Sequence, residues 1–178
     1  MRVDIQNKTY FKRALNTILP DFKISEISGI TIDSRNVKPG DIFLAFKGES
    51  ADGHKYINHA EKAGASLAIV ENNIETSIPI AQVKSTRNFL NELAAAYCKN
   101  ITCPLIGITG SNGKTTTKDL LTHVLSASMN TMSTRGNYNS TIGVPLSIFE
   151  CGENEDAAII EMGASMPGEI EYICNIVQ

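Results

Sequence analysis

The residues best suited to chemistry form a glycine-rich run that ends in Gly-Lys-Thr. An apolar stretch, residues 104–108, leads into this run. Glycines let backbone N–H groups close around phosphate oxygens, and the start of a helix adds partial positive charge. A lysine in such a run reaches the β and γ phosphates of a nucleotide, and the hydroxyl after it binds magnesium. The run therefore predicts an ATP- or GTP-binding loop made by Gly110, Ser111, Asn112, Gly113, Lys114, Thr115 and Thr116.

The loop departs from the most common spacing of such loops, GxxxxGK[ST]. The first glycine of that pattern would stand where this chain has Ile108, and the nearby glycines are Gly107 and Gly110. A tight turn that merely opens a helix is the competing interpretation. The order of strand, glycines, lysine, hydroxyl and helix favours nucleotide binding, but it does not identify the group that receives the phosphate.

A carboxylate follows a second apolar run. Glu161 comes directly after residues 157–160. Open α/β sheets place ligands at the carboxyl ends of their strands, and an acid there can hold magnesium directly or through water. Spacing alone leaves a solvated carboxylate at the end of a strand equally open. Glu161 is thus a candidate magnesium ligand.

The elements around these residues alternate between helix and strand from residue 85 onward. Apolar strands separated by helices are typical of a parallel sheet covered by helices, so this half is expected to be doubly wound and to hold only the beginning of such a sheet, with two strands. The predicted helices cover residues 86–99, 114–128, 140–149 and 168–176, and the predicted strands cover residues 105–109 and 157–161.

The first 84 residues have a different pattern and predict a small mixed α/β unit. Short β-branched or aromatic runs are separated by turns such as Pro39-Gly40. The predicted helices cover residues 10–19 and 54–64, and the predicted strands cover residues 27–32, 41–46, 67–70 and 78–83. The fold class is therefore α/β, with one domain at residues 1–84 and the truncated start of a second, mostly parallel-sheet domain at residues 85–178.

The composition limits the possible partners. The formal net charge is −3, so no global basic field is available to hold a nucleic-acid backbone, and anionic ligands must be met locally. Four cysteines lack the CxxC spacing of a zinc site and predict buried, reduced thiols. No apolar run is long enough to cross a bilayer. We expect a cytoplasmic protein, monomeric, with no nucleic-acid partner and no membrane insertion.

Four segments together resemble one family. The run of residues 110–117 resembles the GTNGKTT loop of the Mur ligases, the ATP-dependent amide-forming enzymes of peptidoglycan precursor synthesis. Residues 31–54 resemble the UDP-binding domain of that family. Residues 136–145 and 161–170 resemble its GNxNNxIGVP and EMGA…GEI segments, which favour the branch that adds a dipeptide. The resemblance runs from about residue 27 to the end of the chain.

The resemblance implies a three-domain ligase of which this chain supplies the first domain and roughly the opening half of the second. In such a ligase ATP phosphorylates the free carboxylate of UDP-MurNAc-tripeptide. The amine of D-Ala-D-Ala then attacks the acyl phosphate and displaces phosphate. The chain by itself is expected to be inactive, because the rest of the nucleotide pocket and the domain that brings in the amine lie outside it.

The resemblance also implies roles for individual residues. Lys114 and Glu161 are the catalytic candidates, the amides of residues 110–116 form the ATP cradle, and Thr115 and Glu161 hold Mg²⁺. The uridine diphosphate is expected to contact Ser34 and Arg35, since an arginine fork can bond two phosphate oxygens at once. Without the resemblance, the favoured interpretation of residues 33–35 is a charged turn before Pro39.

The asparagines of the 136–145 segment keep two interpretations. Asn137 and Asn139 either bind the nucleotide or sugar, or cap the helix that begins near Ser140. Ser140, Ser165 and Met166 depart from the family pattern, so their roles stay open.

Two alternatives to the dipeptide-adding ligase remain at this point. One is the sister Mur ligase that adds the third amino acid of the peptide, and the other is a non-catalytic phosphate-loop module. The third residue of the substrate peptide, diaminopimelate or lysine, is also left open.

Overall fold

The computed structural model describes residues 1–22, 26–48 and 51–177, which form a mixed α/β fold with two mostly parallel sheets. The predicted fold class is confirmed. The strands of both sheets are short, and helices cover them on their faces.

The first sheet has five strands in the order β1-β2-β3-β4-β5. Strand β1 pairs antiparallel with β2, and all the other pairs are parallel. The strands are β1 (Arg2–Asp4), β2 (Gly29–Thr31), β3 (Ile42–Leu44), β4 (Leu67–Val70) and β5 (Ile80–Gln82). Every residue of β2, β3 and β4 is buried, as expected for central strands covered on both faces.

Among the described residues up to residue 98 there are three helices. They are α1 (Lys8–Ile18), α2 (Ile57–Lys62) and α3 (Thr86–Cys98), and short 3-10 turns occupy Ser34–Asn36 and Gly53–Tyr56. Helix α1 begins earlier than predicted, because the Asn7 side chain accepts hydrogen bonds from the backbone N–H groups of Thr9 and Tyr10.

The second sheet has three parallel strands in the order β6-β8-β7. The strands are β6 (Leu105–Ile108), β7 (Thr131–Ser133) and β8 (Ala157–Glu161). The helices are α4 (Lys114–Leu125), α5 (Gly143–Ile148) and α6 (Glu169–Cys174).

Two strands escaped the sequence-based prediction, which gave the second unit only two strands. Strand β7 reads Thr-Met-Ser, with one apolar residue, and forms because it pairs along the central strand β8. Strand β1 has charged residues on both sides of Val3 and forms as an antiparallel edge. Both are set by long-range pairing and not by local propensity.

One apolar core connects the two halves of the molecule. Helix α1 packs on α3, and α3 packs on α5. Phe11, Tyr97 and Phe149, one from each of these three regions, contact edge to face with ring centroids 5.1–6.4 Å apart. The Tyr97 hydroxyl also donates to the Cys151 carbonyl oxygen at 2.6 Å. Helix α3 is thus packed on the first unit, and a domain boundary at residue 84 stays a proposal.

The cysteine prediction needs a correction. Cys98 and Cys151 are buried free thiols as expected, but Cys103 and Cys174 are partly exposed. Burial raises the pKa of Cys98 to about 12. In the three described stretches of chain, no helix combines the length and the apolar character needed to span a membrane.

Candidate nucleotide and substrate site

The carboxyl ends of the three parallel strands β6, β8 and β7 meet at one edge of the second sheet. The glycine-rich loop leaves β6 there and enters α4. Gly113, directly before the helix, has a φ of +76°, which a residue with a side chain rarely adopts. The glycine therefore lets the chain turn sharply, so that the free N–H groups of the first turn of α4 face the loop.

Lys114 is the first residue of α4 and lies across this loop. Its Nζ donates a hydrogen bond to the carbonyl oxygen of Gly110 at 2.7 Å. The ammonium group, the loop amides and the helix N-terminus thus concentrate positive charge in one concave loop. This arrangement suits the phosphates of a nucleotide.

Glu161 ends β8 and lies opposite the start of α4. It is 1% exposed. Its Oε1 accepts hydrogen bonds from Asn139 Nδ2 at 2.8 Å and from Thr115 Oγ1 at 3.2 Å. The structure thus brings together Thr115, Asn139 and Glu161, three residues that the sequence analysis selected.

The other carboxylate oxygen of Glu161 is a buried acceptor for which the described residues supply no hydrogen-bond partner. A buried, unpartnered carboxylate oxygen is costly. Magnesium is bound through one or two carboxylates, together with water and nucleotide phosphates. Glu161 and the Thr115 hydroxyl therefore fit a magnesium site beside the phosphate loop.

Residues 136–142, called the asparagine loop below, lead into α5. The Oγ of Ser140 accepts from the backbone N–H of Gly143, the first residue of α5, at 3.1 Å. Asn139 bonds to Glu161, and the carbonyl oxygen of Asn139 accepts from Gly163 N at 2.7 Å. Asn137 is exposed in the same loop.

The positions that depart from the family pattern have local backbone roles. Ser165 and Met166 donate their backbone N–H groups to the Glu169 carboxylate at 2.6 Å and 3.0 Å. These two bonds precede the start of α6. The Ser165 and Met166 positions thus shape the entry to that helix.

A separate cavity of about 770 Å³ lies at the carboxyl ends of β2 and β3. This volume is in the range of small-molecule sites. Phe46 and Tyr56 give it aromatic walls, and Lys47 and Arg87 give it cationic groups. The other lining residues are Met1, Ile32, Asp33, Ser34, Arg35, Phe43, Gly48, Ala51, Gly53, His59 and Ile142.

Ser34 and Arg35 are both in this cavity and not at the phosphate loop. The Arg35 guanidinium donates from Nε and from a terminal nitrogen to the Asp33 carboxylate, at 2.9 Å and 2.8 Å. This contact lowers the pKa of Asp33 to about 2. His59 Nδ1 lies 3.0 Å from the Ser34 carbonyl oxygen. The Arg35 side chain is 83% exposed, although two of its guanidinium nitrogens are bonded to Asp33.

The segment of residues 138–142 lies between the two sites. Ile142 lines the large cavity, and Thr141 accepts from Arg87 at 3.3 Å. Asn139, three residues before Ile142, contacts Glu161. The Tyr138 hydroxyl accepts from the backbone N–H of Arg2 at 3.3 Å, which ties the segment to β1. A ligand that occupies both sites would have to pass along this segment.

Two supporting residues escaped the sequence analysis. Thr134 follows β7, a strand that was not predicted, and Lys118 is buried inside α4. A signal existed for Lys118, since it is four residues after Lys114 and thus on the same helix face. For Thr134 the local sequence offered no signal.

Two family models match the chain. The model described as the Mur ligase family, catalytic domain, matches residues 26–105, and that of the Mur ligase middle domain matches residues 108–178.

Named relatives and solved structures agree with these matches. The UDP-N-acetylmuramoyl-tripeptide--D-alanyl-D-alanine ligase of Synechocystis sp. is 37% identical over 174 residues, which cover 96% of this chain and 38% of the relative. A crystal structure of MurF from Acinetobacter baumannii has a TM-score of 0.83 and 36% identity, over 97% of this chain and 39% of that chain. MurF ligase from Thermotoga maritima in complex with ADP has a TM-score of 0.76 and 37% identity, over 86% of this chain and 35% of that chain. The chain therefore spans less than two fifths of the length of these proteins.

Proposed function

Because the chain belongs to the Mur ligase family, we propose that it is the amino-terminal part of an ADP-forming ligase that joins D-Ala-D-Ala to UDP-MurNAc-tripeptide in peptidoglycan precursor synthesis. The single observation that carries the proposal is the phosphate loop facing Glu161, a buried carboxylate with one oxygen to which no described residue bonds. The names of the relatives support the choice of substrates.

At the phosphate loop, the chain's own groups bind and orient ATP. The amides of residues 110–116 hold phosphate oxygens, and Lys114 leaves the Gly110 carbonyl oxygen to reach the β and γ phosphates. Transfer of a phosphoryl group to a carboxylate brings two anions together, so concentrated positive charge is the main requirement. ADP bound to the relative from Thermotoga maritima supports the nucleotide.

Thr115 and Glu161 are the residues that would hold magnesium. When bound, the ion supplies positive charge that offsets the phosphate charge. The chain's contribution is geometric, because Asn139 occupies one oxygen of Glu161 and leaves the other free.

The large cavity would hold the uridine diphosphate of the second substrate. Phe46 and Tyr56 offer apolar and aromatic surface for a base, and Ser34 and Arg35 lie at the cavity for the diphosphate. Lys47 and Arg87 add positive charge locally, although the chain as a whole carries a net charge of −3. The peptide end of the substrate would then run past residues 138–142, with Asn137 and Asn139 as further contacts.

The proposal is tested by phosphate release from the whole protein with ATP, UDP-MurNAc-tripeptide and D-Ala-D-Ala. We expect release to require all three substrates and Mg²⁺. Lys114→Ala should lower kcat by about 100-fold or more, as loss of a preorganised charge at a reacting oxyanion does. The matched control is Lys99→Ala, an exposed lysine at the end of α3, which should leave kcat unchanged.

The same assay separates the alternatives. If a free diamino acid and not D-Ala-D-Ala drives phosphate release, the protein is the sister ligase. A non-catalytic module would release no phosphate with either amine. Calorimetry adds a direct check, because a ligase should bind the UDP-sugar without ATP and a nucleotide switch should not.

We also propose that the enzyme acts in the cytoplasm, because its reaction consumes ATP, and that it is a monomer, because Thr115 of the phosphate loop bonds to Glu161 within one chain. Analytical ultracentrifugation of the whole protein tests the monomer. Sedimentation as a dimer at micromolar concentration would contradict it.

A further inference from the structure

Lys118 is a buried lysine on α4, the helix that follows the phosphate loop, and the function proposed above gives it no role. It lies four residues after Lys114 on α4, so both side chains project from the same face of the helix. Lys118 is 6% exposed. Burial of an ammonium group costs free energy, and an apolar side chain of similar volume would avoid that cost. The position of this charge therefore needs an explanation.

The partners of Lys118 lie at the exit of β7. Its Nζ donates to the carbonyl oxygen of Thr134 at 3.1 Å and lies 2.7 Å from the carboxylate of Asp119. Thr134 is the first residue after β7 and is 1% exposed. The ammonium group therefore fixes the backbone at the point where the chain leaves the sheet.

Thr134 in turn bonds to the backbone of β8 at and near Glu161. The Thr134 hydroxyl oxygen accepts a hydrogen bond from the backbone N–H of Glu161 at 3.0 Å. The Thr134 backbone N–H donates to the carbonyl oxygen of Ile159 at 2.9 Å. The two bonds hold β8 on either side of Ile160, directly at the point where the Glu161 side chain begins.

The segment that follows β7 also carries Asn139, a side-chain partner of Glu161. Five residues after Thr134, Asn139 bonds Oε1 of Glu161. The position of the chain after β7 thus affects the position of the Glu161 backbone and of one of its carboxylate oxygens. The remaining oxygen, buried and without a partner among the described residues, is the one available to a cation.

We propose that Lys118 and Thr134 are positioning residues, which hold Glu161 so that its free oxygen faces the divalent cation of the nucleotide. The inference rests on the nucleotide and magnesium site proposed above. Outer partners of metal ligands commonly change metal affinity by about 10- to 100-fold when removed. A purely structural role would instead change the stability of the protein and leave the metal dependence of nucleotide binding unaltered.

The test measures ADP binding to the whole protein by calorimetry, once with excess Mg²⁺ and once with EDTA. Lys118→Met removes the ammonium group and keeps the apolar stem, and Thr134→Val removes the hydroxyl and keeps the shape. Lys118→Arg and Thr134→Ser are the matched controls, since they keep the donor and the hydroxyl. Thermal unfolding of each variant reports its stability separately. Thr134→Val conserves volume, so it keeps the test decisive if Lys118→Met does not fold.

We expect Lys118→Met and Thr134→Val to raise the Kd of ADP about 10-fold or more with Mg²⁺ and less than about 2-fold in EDTA. The two controls should stay within about 3-fold of the unaltered protein with Mg²⁺. Equal loss in both conditions, or no loss in either, would overturn the inference. If the unaltered protein binds ADP equally with Mg²⁺ and with EDTA, the proposed magnesium site itself is wrong.

Discussion

At the scale of single residues, Glu150 is a second buried carboxylate, besides Glu161, with one oxygen that has no partner among the described residues. It is 8% exposed, and its Oε1 lies 3.3 Å from the exposed Arg135 guanidinium. Its Oε2 is buried without a partner in the part of the chain that the structure describes. The withdrawal of the carboxylate from water raises the pKa of Glu150 above its ordinary value, and the nearby Arg135 charge offsets only part of that rise.

This raised pKa gives a prediction about stability and pH. A carboxyl group whose pKa is higher in the folded state favours folding fully below its unfolded pKa of about 4.5, and that contribution is lost as the pH rises through the folded pKa. Glu150→Gln stays neutral at every pH. We therefore expect the Tm of Glu150→Gln minus the Tm of the unaltered protein to be more positive at pH 7 than at pH 4.

Thermal unfolding at the two pH values measures this effect. Glu92→Gln is the control, because Glu92 is exposed on α3 and should change the Tm equally at both values. A Glu150→Gln variant that is less stable than the unaltered protein at pH 7 would mean that the ion pair with Arg135 outweighs the desolvation.

Among the elements, the start of α5 packs closely against the asparagine loop at Gly143. A Cβ atom at Gly143 would lie 2.5 Å from the carbonyl carbon of Tyr138 and 2.6 Å from its Cα. Both are backbone atoms, so the loop itself would have to move. Because Asn139 follows Tyr138, such a shift would also displace the partner of Glu161.

We expect Gly143→Ala to destabilise the protein by about 3 kcal/mol or to prevent folding, as overpacking against fixed atoms does. Gly136→Ala is the comparator. Its φ of +51° costs about 1 kcal/mol for a side chain, but its added Cβ meets no described atom within 4 Å. Urea unfolding measures both, and equal losses would show that the clash is relieved without cost.

Features that depend on one short run of residues could be predicted from the sequence. The phosphate loop was predictable because its chemistry requires glycines, lysine and threonine in one short run. The partnership of Thr115 with Glu161 was predictable in outline, because carboxyl ends of parallel strands meet at one edge.

Other features had no local signal. Strand β7 exists because β8 pairs with it, and Thr134 acts through that pairing. The burial of Glu150 depends on packing between distant elements. For Asn139 the sequence left ligand binding and helix capping open, and its contact with Glu161 at 2.8 Å depends on the fold.

At the scale of the whole molecule, one edge of the second sheet is incompletely covered. Strand β6 pairs with β8 on one side, and its residues are partly or fully exposed. On α4, Leu120 and Val124 are 62% and 65% exposed. Apolar surface of this kind commonly marks an interface.

We expect the 178-residue chain by itself to be catalytically silent, because it spans 38% of the length of its Synechocystis relative. The measurement is phosphate release with ATP, UDP-MurNAc-tripeptide and D-Ala-D-Ala, compared with the whole protein at equal concentration. Multiple turnovers by the chain alone, dependent on both UDP-MurNAc-tripeptide and D-Ala-D-Ala, would contradict the expectation.

The aromatic contacts of Phe11, Tyr97 and Phe149 have a consequence for the choice of substrate. They join the unit that carries the large cavity to the unit that carries the phosphate loop through one close-packed core. If the proposed UDP-MurNAc-tripeptide spans both sites, this shared core sets the distance between the positions of its two ends. A peptide one residue short would leave its carboxylate roughly 3.5 Å from the phosphate it must meet, whatever its affinity for the cavity. We therefore expect selection by peptide length to appear in kcat and not in KM.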